Sequence, residues 1–209
     1  LFNGRDGEWL AEITSLEKRH LVLRVQKRLR VHTVPPDIWL LFAPIKKHRN
    51  VFIVEKATEL GATLIQPVIT ARTGTLNTNT FMDKMKPHII HAAEQTERVD
   101  VPQVRDPRAL TALLESWDKN RTLVFADEGI VLDGSGQSKP ITEILRNITP
   151  PCAILIGPEG GFTNEERTFL RTLTFVTTIQ LGPRILRADT AATVSLALWQ
   201  AVSGDWSSG

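Results

Sequence analysis

Hydrophobic and polar positions change their period along the chain. Between residues 8 and 31 they alternate, with Leu21, Leu23 and Val25 set against Val22, Arg24 and Gln26, a period of two that predicts strands. These strands are too few to close a stable barrel alone. Val34, Pro35 and Pro36 then form a stiff linker. From Asp37 onward strands and helices follow by turns. Strands are predicted over 38–42, 63–69 and 123–126, and helices over 50–60, closed by Gly61, and over 81–95. The 81–95 helix carries Phe81, Met85, Ile89 and Ala92 on one face, and Pro87 is expected to kink or split it. Leu110, Leu113, Leu114 and Trp117 line a further helix, residues 129–139 read as a mobile Gly/Ser-rich loop, and 141–145 as a short helix. Strands separated by helices imply an α/β fold, a parallel sheet covered on both faces.

Two stretches near the end stand out. Residues 153–166, AILIGPEGGFTNEE, begin with a short buried strand and continue into Gly157, Pro158, Glu159, Gly160 and Gly161. Paired glycines allow positive φ and let a ligand approach the main chain. Thr163 followed by Glu166 is a capping box, so a helix starts there. Residues 177–181 repeat the theme: a strand, the loop from Gly182 to Asp189, then a helix with Ala191, Val194, Leu198, Ala201 and Val202 as its apolar stripe. Gly-Pro loops at the carboxyl ends of strands are where α/β sheets bind ligands. Neither loop matches the phosphate-loop or dinucleotide patterns, which points away from a ligand held by its phosphates.

These residues carry a resemblance. Leu155 to Gly161, Leu181 to Arg187 and Thr190-Ala191, with Glu55 to Gly61, Pro67 and Ala93 to Arg98, resemble the SPOUT superfamily of knotted methyltransferases. More narrowly they are similar to the RsmE family, which methylates N3 of a uridine in small-subunit (16S) ribosomal RNA. The matches run in order from about residue 46 to 201. One position departs, since Asp189 stands where the family usually has Glu.

The resemblance implies a SPOUT methyltransferase domain over 34–209 with a C-terminal trefoil knot, and a partial PUA-like β-barrel over 1–33 that binds RNA. It implies S-adenosylmethionine as cofactor, held where three loops converge, the third near Asp127 and Glu128. Expected cofactor contacts are Gly157, Glu159, Gly160, Gly161, Leu181, Gly182, Arg187 and Ala191, with Phe125, Ile156, Ile185 and Leu186 as apolar walls. Expected partners are the ribosomal RNA or assembled small subunit and a second copy of the chain, with Val194, Leu198 and Trp199 supplying apolar surface for a homodimer.

Composition narrows the setting. The hydrophobic share is 42%, and no apolar run approaches the length of about 20 residues that a membrane span needs. No signal peptide is visible. The single Cys152 cannot form an internal disulfide and reads as a small buried hydrophobe, favouring a cytoplasmic protein. His20, His32, His48, His88 and His91 are scattered without zinc spacing, so no metal is expected. Residues 1–50 carry 10 Lys/Arg against 5 Asp/Glu, although the whole chain is only +2. That excess, with Arg24, Arg28, Arg30, Lys46, Lys47 and Arg49, is either a solvated face or a phosphate-contacting surface.

The catalytic candidates are Glu94, Arg98, Arg187 and Asp189. Glu94 and Arg98 are four residues apart, one turn of a helix, and form either an exposed pair or part of the substrate site. Glu94 is the first candidate base, with Arg98 or Arg187 to stabilise a uridine imide. Arg187 could also orient RNA, meet the methionine carboxylate or pair with Asp189. Three other readings stay open: methylation of another RNA position, an α/β enzyme using a different adenine ligand, and a non-catalytic RNA-binding module.

Overall fold

A computed structural model describes residues 1–129 and 139–208. Most of the predicted mobile loop, 130–138, lies outside the described residues, as does the side chain of Lys47. The alternating start of the chain forms β1 (Glu8–Leu16) and β2 (Leu21–Arg30), an antiparallel hairpin that is a sheet by itself. It joins the rest through Gly4 N donating to Val99 O at 3.0 Å and Arg30 Nη2 donating to Glu97 O at 2.8 Å.

The second sheet has seven strands: β3 (Ile38–Phe42), β4 (Leu64–Ile69), β5 (Gln103–Val104), β6 (Arg108–Ala109), β7 (Thr122–Ala126), β8 (Cys152–Ile156) and β9 (Val176–Ile179). Their order is β5-β4-β3-β8-β7-β9, with β6 on β4, and every recorded pair is parallel. The helices are α1 (Lys47–Glu59), α2 (Thr78–Gln95), α3 (Leu110–Glu115), α4 (Ile141–Arg146), α5 (Asn164–Thr172) and α6 (Ala188–Ser203).

Alternation along the strands builds two cores. Ile38, Leu40 and Phe42 of β3 and Cys152, Ile154 and Ile156 of β8 face α1, α2, α4 and α6. Leu41, Ala153, Leu155, Leu123 and Phe125 face the other way, toward α3, Phe162 and Leu170 of α5. Strands covered on both faces read as continuous apolar runs, which is why β3 and β8 were legible. The very short β5 and β6 were not, because two residues carry no period.

Two helices differ from their pattern. α2 runs unbroken through Pro87. A proline inside a helix costs about 3 kcal/mol, and here the buried face of Phe81, Met82, Met85, Ile89, Ala92 and Ala93 outweighs it. In α6 the buried stripe is Ala188, Ala191, Ala192, Ser195, Leu196, Trp199 and Gln200, rotated from the one expected. Trp199 is fully buried and its Nε1 donates to Ile148 O at 2.9 Å, so it offers no surface to a second chain. Gln200 looks polar, yet its amide is used inside, donating to Leu60 O at 2.8 Å.

Cys152 is a buried core residue, and burial pushes its thiol up to about 12, with nearby Arg121 acting in the opposite direction. Arg121 lies 3.7 Å from the Trp39 ring centroid, donates to Cys152 O at 3.1 Å and pairs with Asp37. Burial alone would raise the Asp37 carboxyl, but the hydrogen bond and charge of Arg121, with Thr63 and Trp39, hold it below its ordinary 3.8. A depressed carboxyl contributes stability above its unfolded pKa and loses it as pH falls through the native value. Asp37→Asn is therefore expected to be less stable than wild type at neutral pH, with the gap narrowing below pH 3.8, as followed by urea unfolding across pH. A constant gap at all pH values would contradict the pairing.

Candidate active site

The parallel sheet sends the carboxyl ends of β4, β3, β8, β7 and β9 to one edge. Connections there depart in opposite directions from β3 and β8, the kind of switch point at which α/β sheets bind ligands. Main-chain bonds carry the ladder just past the strands: Ala43 N donates to Ile156 O and Asp127 N to Ile179 O, both at 3.0 Å.

Above β3, β8, β7 and β9 lies a cavity of about 450 Å³. Ile156, Gly157, Pro158, Glu159, Gly161 and Phe162 form one wall, and Gln180 through Ala188 with Ala191 form another. Lys46, Arg49, Ala126, Asp127 and Glu128 complete it. Ile185 is 77% exposed on this wall, an apolar side chain facing open space. Between Gln180 and Leu186 no main-chain hydrogen bond to another main-chain group is recorded among the described residues. Main-chain groups without such a partner can serve a ligand or water.

Local chemistry shapes the glycine loop. Gly161 N donates to Pro158 O at 2.9 Å, closing a turn in which Gly161 takes φ +66. Phe162 tucks back under Gly157 and meets Phe125 edge to face at 5.0 Å, leaving no room for a Cβ at Gly157. Thr163 caps α5 in the expected capping box: Glu166 N donates to Thr163 Oγ1 at 3.2 Å and Thr163 N to Glu166 Oε2 at 2.9 Å. The other Glu166 oxygen accepts from Ala71 N at 2.8 Å, tying the loop after β4 to the glycine loop.

A smaller cavity of about 360 Å³ sits beside the first, above β4, β3 and β8. Pro44, Ile45, Arg72, Gly74, Thr75, Leu76 and Gly160 line it, and Lys46, Pro158 and Glu159 belong to both cavities. Arg72 Nη1 donates to Gly160 O at 2.7 Å.

Most of the residues expected at the cofactor stand on the larger cavity: Ile156, Gly157, Glu159, Gly161, Leu181, Gly182, Ile185, Leu186, Arg187 and Ala191. Phe125 is instead fully buried in the second core against Phe162. Gly160 lines the smaller cavity without a positive φ, so only Gly161 of the pair needs glycine's backbone freedom. Glu94 is exposed on α2 and lines neither cavity. Arg98 does not share its helical turn, because α2 ends at Gln95 and Glu97 at φ 56 turns the chain. Arg98 is used structurally: it donates to Thr58 O at 2.6 Å and Ala62 O at 3.2 Å and pairs with Asp100 at 2.7 Å.

Asp189 has a different partner from the one expected. Arg187 occupies the N-cap of α6 and makes no ion pair among the described residues, whereas Arg49 approaches Asp189 at 3.6 Å and Glu159 at 3.8 Å. Arg49 and Lys46 thus border the larger cavity, while Arg24, Arg28 and Arg30 sit on the exposed hairpin strand. Arg28 lies 6.0 Å from the Trp9 ring centroid and Arg30 pairs with Glu8 at 2.6 Å. Among the described residues no cluster of His, Cys, Asp or Glu could hold a metal ion.

Sequence reading missed Arg72 and the Asp127 anchor. Asp127 is buried, pairs with Arg167 at 3.1 Å and with Arg171, and accepts from Gly129 N at 2.9 Å, which fixes the turn after β7. The two arginines lie 40 or more positions from Asp127, and no local pattern marks them. Gly161→Ala should cost about 1–3 kcal/mol by strain at a left-handed position, since its Cβ would also fall 2.0 Å from Glu128 Oε1. Gly160→Ala, whose Cβ meets Arg72 no closer than 3.5 Å, should change stability by no more than about 0.5 kcal/mol. Thermal unfolding of both variants checks the contrast; equal losses would contradict the loop geometry.

Comparison with known proteins identifies the family. Residues 32–200 match the RNA methyltransferase domain family. Ribosomal RNA small subunit methyltransferase E of Rickettsia conorii is 32% identical over 198 residues, spanning 94% of this chain and 78% of that protein. A Legionella pneumophila chain assigned as a methyltransferase and solved in complex with SAM superposes with a TM-score of 0.84 at 31% identity, over 98% of this chain and 82% of that one. The Neisseria gonorrhoeae ribosomal RNA small subunit methyltransferase E bound to S-adenosyl methionine gives 0.80 at 26%, over 98% and 83%. With the domain match over residues 32–200 and 32% identity across 94% of its length, the chain belongs to the ribosomal RNA small subunit methyltransferase E family.

Proposed function

We propose that the protein transfers the methyl group of S-adenosylmethionine to N3 of a uridine in small-subunit (16S) ribosomal RNA. The observation that carries this is the larger cavity, about 450 Å³ and built from the three loops after β7, β8 and β9. It suits an adenine nucleoside with a charged tail. Ile156, Leu181, Ile185, Leu186 and Ala191 give apolar walls, the 180–186 main chain gives polar groups with no main-chain partner among the described residues, and Gly182 at φ +77 has open space where a Cβ would stand. When bound, the cofactor supplies an electrophilic methyl carbon on a positive sulfur.

Uridine N3 carries a proton that must leave before or as the new bond forms. N3 then gains the methyl carbon, while the carbon–sulfur bond breaks with its electron pair going to sulfur. No covalent intermediate is required, so catalysis rests mainly on holding the reactants in line. Asp127 and Glu128 on the cavity wall are engaged by Arg167 and Arg171, whereas Glu159 on the wall and Asp189, next to the lining residue Ala188, share the cavity-lining Arg49 at 3.8 and 3.6 Å. Within one chain they are better placed than Glu94 to receive the proton. Arg187, exposed at the start of α6 and on the cavity wall, is available to the RNA or to the imide.

The finer architecture belongs to the same reading. The convergence of three loops, with α6 packed back on β8, supports a C-terminal trefoil knot within 34–209. The hairpin supports a partial PUA-like barrel in 1–33, with Arg24 and Arg28 toward RNA. Half-buried Val194 and Leu198 support a homodimer across α6. No helix among the described residues is long and apolar enough to cross a membrane, and a ribosomal substrate fits a cytoplasmic setting.

Titration calorimetry should show binding of S-adenosylmethionine but not ATP, and tritium from the methyl group should appear on a uridine of unmodified small subunits. Absence of cofactor binding would overturn the reading. Under single turnover, Glu94→Gln is expected to stay within about threefold of wild type with its alkaline rise unchanged, whereas Asp189→Asn should fall at least about tenfold. The reverse ranking would return the base role to Glu94.

A further inference from the structure

We propose that the smaller cavity is the acceptor subsite, which receives the unstacked uracil base, and that Arg72 is the donor that stabilises it as N3 loses its proton. The proposal rests on the methyltransferase reading above and names where its substrate enters. Direct transfer needs the acceptor next to the cofactor, and the two cavities share a ridge made by Lys46, Pro158 and Glu159. The volume of about 360 Å³ is within the range of small-molecule sites. An enzyme acting on a base must take it out of its stack and into such a pocket.

The chemistry of Arg72 fits the charge that develops there. Loss of the N3 proton leaves an imide anion spread over N3 and its two flanking carbonyl oxygens. A planar guanidinium presents several N–H donors in a fixed fork and matches that edge better than a point charge. Arg72 Nη1 is anchored on Gly160 O at 2.7 Å, which fixes the plane and leaves the other N–H groups to meet a ligand. Among the described residues no recorded ion pair includes Arg72. The exposed carboxyl of Glu165 at the start of α5 is lowered by hydrogen bonds with its own main chain and Thr163, and the charge of Arg72 helps to lower it. Its loop is held in advance, by Thr70 N donating to Thr73 Oγ1 at 2.9 Å and Ala71 N to Glu166 Oε1 at 2.8 Å. Glu166 therefore ties the two sides of the cavity together, and it does so through the residue that also caps α5.

Two variants test this with unmodified small ribosomal subunits and tritiated S-adenosylmethionine. Arg72→Ala should leave cofactor affinity by calorimetry within about twofold while lowering kcat/KM for subunits at least about tenfold. Its alkaline limb in kcat should also move to higher pH, which a purely structural arginine would not cause. Arg72→Lys should restore part of the rate. Gly74→Leu places a side chain where nothing stands within 4 Å of a Cβ. It should fold normally, bind cofactor and lose methylation. Wild-type rates and pH profile in both variants would overturn the subsite, as would loss of cofactor binding in step with methylation. Wild-type protein that binds cofactor yet labels no subunits would overturn the methyltransferase reading and the subsite with it.

Discussion

The site depends on β8 being held in parallel register between β3 and β7. Leu41 lies opposite Leu155, and Val124 opposite Ile154, with these side chains essentially removed from water. Burying an aliphatic side chain contributes roughly 1.5–3 kcal/mol, and a slip by one residue would turn each one to the opposite face. Because register cannot slip, the last residues of β8, β7 and β9 stop at the same edge. The loops that follow have no freedom in where they begin, and the larger cavity is a consequence of that edge.

Charged groups finish what the sheet begins. Asp127 would be costly to bury alone, but Arg167, Arg171 and Gly129 N satisfy it, and the turn after β7 is fixed by that satisfaction. Arg49 sits between Glu159 and Asp189 and joins the start of α1 to the glycine loop and to α6. Glu166 joins the loop after β4 to the same glycine loop. Each link spans elements that are distant in sequence, and together they hold both cavities open in a defined relation. Two adjacent sites separated by one ridge are what a direct transfer between two bound partners needs.

The sequence determined a good deal by itself. Buried parallel strands are continuous apolar runs, so β3, β7 and β8 were legible, as were the capped start of α5 and the two Gly-Pro loops. Those features depend on a few neighbouring residues and their periods. The loop residues lining the larger cavity were legible for the same reason, since each loop follows a readable strand. Tertiary structure decided the rest. Which face of α6 is inside depended on α1, α4 and β8, so Gln200 is buried while Val194 is not. Whether Pro87 breaks α2 depended on the apolar face packed beneath it. Arg98 left its expected partner because Glu97 turns the chain, and Arg49 reached Asp189 from 140 positions away. Arg72 gained a place beside the ridge only when β4 paired with β3. Long-range pairing of this kind leaves no local period in a sequence, because the energy that selects it comes from surfaces that meet only when the sheet is complete.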